Sequence, residues 1–381
     1  MFNQIIFWQD IPSAHLNFFI SEIPNVNPSL SVILVVNSYY SDNRKQMGWE
    51  FKQEYPNIKI IASPSHSETL VLLNQKKTIH VLSGFKHFPH SKIILKHLNE
   101  KKIYGGFLME RPDFWKLKGI FRKWATPFFE KRYSKESKFV FTFGTEAIEW
   151  YSKSGFSTEQ IFTFLYTVPI LYDKPIINYF KPSSNFLDIA FVGSLTKLKG
   201  IDTFLSALSE LDSTHELNIH IFGDGPFKDK IIEFSKKINN SINIHIYGFK
   251  PNQEVRHALQ YIDILILPSH YDGWGAVINE SLMAGTPVIC SDACGASQLI
   301  TNYSNGVIFP KGNHKKLREA LEYYLEKGKI SNYDKIKIKN WAENNISPLK
   351  ACEYFLSKLE LIDSNLKNNN YDLPWEPFKL D

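Results

Sequence analysis

Short apolar runs recur along the whole chain, separated by longer mixed segments. In the first part Ile5–Trp8, Leu30–Asn37, Ile58–Ala62, Ile79–Leu82, Ile103–Met109 and Phe139–Phe143 are short and rich in β-branched or aromatic residues. That pattern predicts strands. Several of the intervening segments, such as Ser91–Glu100, are long enough for a helix. The alternation predicts βαβ units and a parallel sheet. Pro169 to Leu187 breaks the rhythm with three prolines and a Ser-Ser pair, which reads as an interdomain linker.

A second, more regular series follows. Ile189–Gly193, Leu217–Gly223, Ile242–Tyr247, Ile262–Leu267 and Pro287–Ser291 read as strands. Ile201–Leu211, Phe227–Ile238, Gln253–Tyr261, Ala276–Ala284 and Lys315–Glu326 read as helices. In Ile201–Leu211 the residues Ile201, Phe204, Leu205 and Leu208 share one helical face. After Trp341 the chain reads as helical to about Leu361, then as a polar stretch and the aromatic segment Tyr371–Phe378. The fold class expected is α/β, with two doubly wound, Rossmann-like domains facing a cleft. The boundaries are 1–168, a linker at 169–187, 188–345, and a tail at 346–381. In such sheets ligands sit beyond the carboxyl ends of the strands.

Composition narrows the classes. A chain of 381 residues is too long for one ordinary core. Its 43% hydrophobic and 22% charged residues suit a soluble globular protein. The net charge of +5 fits an anionic small ligand or a membrane surface and is too weak to argue for nucleic acid. Cys290, Cys294 and Cys352 form no disulfide framework, which points to a reducing compartment, and their spacing gives no zinc motif. The N-terminus has no basic lead-in to an apolar stretch, so no signal peptide is expected. No apolar run reaches the roughly 18 residues of a membrane span.

The most informative segment is Pro268-Ser269-His270-Tyr271-Asp272-Gly273-Trp274-Gly275-Ala276-Val277-Ile278-Asn279-Glu280. A strand ends at Leu267, a glycine-bearing loop follows, and a helix opens near Gly275. Amides at a helix start, with the helix dipole, suit a diphosphate. Gly273 and Gly275 let the backbone approach a ligand. Glu280, about one turn into the helix, can accept bonds from vicinal hydroxyls such as those of a ribose. The bland alternative is a glycine turn before a helix with a solvated acid. A second strand-to-helix loop, Phe191-Val192-Gly193-Ser194-Leu195-Thr196-Lys197-Leu198-Lys199-Gly200, repeats the topology and adds two lysines. A third, Gly223-Asp224-Gly225-Pro226, ends another strand; alone it is a turn.

Together these loops resemble the C-terminal domain of family 4 glycosyltransferases, which have the GT-B fold. The family pattern is an acid, glycine–aromatic–glycine, and a second acid eight positions after the first. Here these are Asp272, Gly273-Trp274-Gly275 and Glu280, followed by Gly285-Thr286-Pro287-Val288 and Ser291-Asp292. Asn305-Gly306-Val307-Ile308-Phe309-Pro310 continues the likeness, which runs from about Ile189 to Pro310. The resemblance implies that Glu280 binds the nucleotide ribose and Asp272 the donor-sugar hydroxyls. The amides near Gly275, Ala276 and Val277, with Lys199, would bind the diphosphate, and Gly193, Ser194, Gly223, Gly225, Gly273 and Trp274 would complete the donor site. Gly248–Pro251, including Phe249 and Lys250, would lie beside the base. The catalytic set implied is Asp272, Glu280 and Lys199. Such enzymes retain the anomeric configuration and need no metal or other cofactor. Two departures stand out. The first acid is Asp272 where Glu is usual, and Ser194 stands where the family has Arg. Lys197 is the candidate replacement for that charge.

The first domain would then take the acceptor. Its first loop, Gln9-Asp10-Ile11-Pro12-Ser13-Ala14-His15, lacks the family's glycines, and His80 falls within a strand, with Ser83-Gly84 after it. The acceptor-side candidates are His15, Ser83, Gly84 and Glu110; His66 is a further loop candidate, and no catalytic base is assigned. Residues 114–135 carry seven Lys or Arg and seven aromatic residues in 22 positions. That composition suits an element lying on an anionic membrane, or a core helix with a solvated basic face. In relatives the tail crosses back to the first domain. The resulting expectation is a retaining glycosyltransferase using a nucleotide sugar and a glycan or lipid-linked glycan acceptor, in bacterial surface-polysaccharide synthesis. It would sit in the cytoplasm, at the inner face of the membrane, with no nucleic-acid partner. The competing expectation is a catalytically weak sugar-nucleotide-binding or scaffold protein of the same fold.

Overall fold

The computed structural model describes residues 2–39, 57–112, 127–171, 186–211, 216–238, 241–364 and 373–379. It contains two sheets, all of whose strand pairings are parallel. The first has β1 (Gln4–Gln9), β2 (Ser31–Val36), β3 (Lys59–Ala62), β4 (Thr78–Leu82), β5 (Tyr104–Leu108), β6 (Val140–Phe143) and β7 (Ile161–Phe164), in the order β3-β2-β1-β4-β5-β6-β7. The second has β8 (Leu187–Val192), β9 (Leu217–Phe222), β10 (Ile242–Gly248), β11 (Ile264–Leu267), β12 (Val288–Ser291) and β13 (Gly306–Phe309), in the order β10-β9-β8-β11-β12-β13. β4 and β9 are buried at every position. Both faces are covered, so even the polar Thr78 and His80 of β4 and Asn218 and His220 of β9 are buried.

The chain divides into two compact units. One holds the residues up to Pro169 together with Ile346–Trp375, and the other holds Ile170–Asn345 with the end of the chain from Glu376. Each has its own core: Ile6, Trp8, Leu82, Phe107 and Val140 in the first, Ile189, Phe191, Phe204, Ile219 and Ile266 in the second. Helix Pro348–Asp363 belongs to the first unit and packs on helix Asn17–Val26. Its Phe355 ring lies 5.9 Å from Phe7, 5.4 Å from Phe19 and 4.8 Å from Phe141.

Several elements differ from the sequence pattern. β7 and β13 are absent from it; pairing defines them, β7 against β6 from Val140 opposite Ile161 to Phe143 opposite Phe164, and β13 against β12 from Val288 opposite Gly306 to Ser291 opposite Phe309. Helix Asn332–Asn345 is also absent, since only Ile338 and Ala342 of its residues are buried. Trp341 lies inside that helix instead of opening the next one. Ser347 caps a new helix, accepting from the Lys350 amide at 3.4 Å, with Pro348 in its first turn. Of the basic aromatic stretch 114–135, residues 113–126 lie outside the described residues, and 127–134 are helical. Most of the expected linker, residues 172–185, is also outside them. No helix among the described residues is long and apolar enough to cross a membrane.

Candidate functional site

The order of the second sheet reverses between β8 and β11. At such a switch point the loops leaving neighbouring strands part and open a crevice. Those loops are 193–200 after β8 and 268–275 after β11, the two that carry the sequence motifs. They are held close by main-chain contacts. The His270 amide donates to the Leu198 carbonyl at 2.9 Å. Gly200, at φ 71°, packs so tightly that an added Cβ would stand 1.8 Å from the Pro268 carbonyl oxygen. The loop after β9 joins them, with the Leu195 amide donating to the Asp224 carbonyl at 2.9 Å.

Lys199 Nζ meets Asp272 Oδ2 at 2.5 Å across these loops, and both side chains are largely sheltered. The loop bearing Asp272 is pinned from its other side: its amide donates to Ala293 O at 3.1 Å, and Ala296 N donates to Trp274 O at 2.7 Å. Gly275, at φ 90°, turns the chain into helix Ala276–Met283. A bond from Ile278 N to Gly275 O at 2.9 Å opens the helix, so the amides of Gly275, Ala276 and Val277 come before it at the positively polarised end. The Trp274 side chain is buried and donates to Asn279 Oδ1 at 2.7 Å. It props the helix from inside the fold.

Glu280 is buried at 5% exposure. Burial pushes its carboxyl above the usual range, opposed by a bond from Asn252 Nδ2 to Oε1 at 2.8 Å and by the Arg256 charge. Asn252 and Arg256 both stand on helix Asn252–Leu259, after β10. Neither was among the sequence candidates, because nothing in the motif reports which helix packs beside Glu280. The other donor-side candidates lie at the same end of the sheet. Gly223 and Gly225 form the β9 loop, where an added Cβ would meet Gly193 O at 1.9 Å and Leu195 O at 2.7 Å. Phe249, 56% exposed, and Lys250 follow β10. Gly193 follows β8, and Ser194 and Lys197 are exposed in its loop. Lys199 is the lysine engaged with Asp272.

The first unit reverses strand order between β1 and β4, and a cavity of about 850 Å³ opens at that switch point. Gln9 at the end of β1, Asp10 and Ser13 after it, Ser83 and Gly84 after β4, and Met109 and Glu110 after β5 line it. Three of the acceptor-side candidates, Ser83, Gly84 and Glu110, therefore converge. His15 adjoins them by stacking on Tyr166, centroids 5.3 Å apart; Tyr166 lines the cavity and donates to Glu110 Oε1. His66 does not join them; it is exposed in the first turn of helix His66–Leu73. His80 lies in β4 and is buried. Its Nδ1 accepts from Trp8 Nε1 at 3.1 Å, and burial lowers its pKa to about 3, so it is a neutral core residue.

With this geometry in place, the comparisons are specific. Residues 178–344 match the family of glycosyl transferases group 1. An uncharacterized glycosyltransferase of Methanocaldococcus jannaschii is 27% identical over 174 residues, 43% of this chain and 45% of that relative. The chain thus spans under half the length of that curated relative. Among solved structures, the lipopolysaccharide outer core galactosyltransferase WaaB in its apo form aligns with a TM-score of 0.66 at 17% identity, over 95% of this chain and all 100% of that one. The Anabaena protein HepE, solved in complex with UDP-glucose, aligns with a TM-score of 0.63 at 12% identity, over 94% and 99% of the two chains. The fold is shared along nearly the whole chain: it is GT-B, two parallel-sheet α/β domains.

Proposed function

We propose that this chain is a retaining glycosyltransferase that moves a sugar from a nucleoside diphosphate to an acceptor hydroxyl, in the synthesis of a bacterial surface glycan. The observation that carries the reading is one constellation at the β8/β11 switch point: Lys199 paired with Asp272, the helix start at Gly275, and a buried Glu280 oriented by Asn252. The match to glycosyl transferases group 1 covers all of these residues.

The chemistry follows from the geometry. Ribose hydroxyls donate to the Glu280 carboxylate. The diphosphate takes the helix-start amides and the Lys199 ammonium, which holds the negative charge released when the bond from the anomeric carbon to the diphosphate oxygen breaks. Asp272 accepts hydroxyls of the donor sugar. The acceptor oxygen bonds to the anomeric carbon, and its proton passes to the departing diphosphate. No further group is needed to balance the step, and neither a metal nor another cofactor is invoked. A membrane-surface location is supported by Phe128, 83% exposed on the helical segment 127–134, with exposed Lys131, Arg132 and Lys135 beside it.

The test is a panel of UDP- and GDP-sugars read by thermal shift and by donor turnover, with Glu280→Gln in parallel. The cognate donor should raise the melting temperature. The substitution should keep the Asn252 contact and lower turnover by about 100-fold, as for loss of an oriented polar contact. Alanine is the poorer variant, since it would remove the acceptor of Asn252 and leave a cavity at a buried position. Nucleotide-sugar binding with no turnover on any acceptor would instead assign a binding protein.

A further inference from the structure

The cavity of the first unit contains one group that the donor chemistry does not use. Glu130 stands on the helical segment 127–134, is 1% exposed, and lines the cavity. Trp150 Nε1 donates to its Oε2 at 2.9 Å and Ser154 Oγ to the same oxygen at 2.7 Å. Two buried donors thus fix the carboxyl through one oxygen. The second, Oε1, makes no hydrogen bond among the described residues. Held in this way, the carboxyl keeps the accepting capacity of Oε1 for a molecule in the cavity that its residue lines.

The rest of the lining narrows what that something is. Phe85 and Phe129 present aromatic surface, their rings 6.4 Å apart, and Phe85 is braced by Phe107 at 4.6 Å and Tyr133 at 5.4 Å. Asp10 and Glu110 add two more carboxyl groups, and Ser13 and Ser83 add hydroxyls. An alkyl chain would offer nothing to Glu130 Oε1, and a phosphate would face three carboxyl groups against Lys86 and His87. A sugar ring fits both features: its C–H face lies on an aromatic ring while its hydroxyls reach the carboxyl oxygens. Gly84, at φ 149° and with nothing within 4 Å of an added Cβ, leaves room for it.

We propose that this cavity binds the acceptor as a pyranose ring resting on Phe85 and Phe129, and that Glu130 determines which pyranose is accepted by hydrogen-bonding one of its hydroxyls through Oε1. The assignment of this ligand as the acceptor rests on the transferase reading; binding of the pyranose does not. Burial raises the Glu130 carboxyl to about 7, so the group can donate below that pH and only accept above it.

The experiment uses the full chain and three probes, methyl α-D-glucopyranoside, methyl α-D-galactopyranoside and methyl α-D-mannopyranoside, which differ in the orientation of single hydroxyls. Affinities are measured by saturation-transfer NMR from pH 6 to pH 8. The wild-type chain should discriminate the epimers by about 10-fold, the scale of one hydrogen-bonded hydroxyl. Discrimination should shift as Glu130 ionises. Glu130→Gln, which keeps an oxygen for Trp150 and Ser154, should reduce it to about 2-fold and make it independent of pH. Phe129→Ala, at a 46% exposed position that tolerates truncation, should weaken all three probes together. UDP binding, which uses the other unit, is measured on the same samples and reports on the transferase reading. Absence of pyranoside binding, or discrimination unchanged in Glu130→Gln, overturns the inference even where nucleotide binding and turnover stand. Failure of nucleotide binding with pyranoside discrimination intact overturns only the assignment of this ligand as an acceptor.

Discussion

Gly200 shows how one residue governs the loops after β8 and β11. Its positive φ and the position of its absent Cβ, which would lie 1.8 Å from Pro268 O, both require glycine. Any side chain there must push the β8 and β11 loops apart and so separate Lys199 from Asp272. Gly200→Ala should therefore lower stability by a few kcal/mol and weaken UDP binding together, measured by denaturant unfolding and calorimetry. Full nucleotide affinity in a folded variant would show that the loop spacing is not what positions the lysine. The motif residues themselves were legible because each carries its chemistry locally: Gly275 turns a strand-end loop into a helix, and Glu280 follows one turn later. Asn252 and Arg256 were not legible. They reach Glu280 only because helix Asn252–Leu259 packs beside helix Ala276–Met283, which no local pattern encodes.

Among the elements, the helical segment 127–134 is held by a buried acid. Glu130 has a pKa near 7 in the folded chain, against an ordinary value of 4.5. Between those values the folded state binds more protons than the unfolded state, so stability falls as pH rises from about 4.5 to about 7, and the cost persists above. The full effect is about 3.5 kcal/mol, at roughly 1.4 kcal/mol for each pH unit separating the two values. Glu130→Gln removes the titration. Its stability relative to wild type, from urea unfolding, should improve by about that amount between pH 4.5 and pH 8. A constant difference across that range would mean the carboxyl ionises normally. Strand prediction worked where both faces are buried, as in β4 and β9, and missed β7, whose four residues are defined only by their register against β6.

Across the full length of the protein, the chain leaves the first unit at Pro169, builds the second, and returns at Ile346. Phe355 brings the last long helix into the aromatic core of Phe7, Phe19, Phe141 and Phe164. Truncating a buried phenylalanine costs about 3–5 kcal/mol. Phe355→Ala should thus lower the melting temperature of the first unit by on the order of 10 °C, while UDP binding by the second unit survives at lower temperature. Calorimetry with and without UDP checks this; loss of nucleotide binding at 25 °C would show that the second unit depends on the returning helix.

Hydrophobic period, glycine placement and helix-start chemistry act over a few residues. The alternation of strands and helices, the parallel sheets and the acid–glycine–aromatic–glycine motif at Asp272 were therefore already present in the order of amino acids. Which distant side chains meet was settled only by folding. The partners of Glu280, the ion pair between Lys199 and Asp272, and the cavity that gathers Asp10, Ser83, Glu110 and Glu130 all join residues from separate parts of the chain. Strand order, not sequence neighbourhood, brings those parts together.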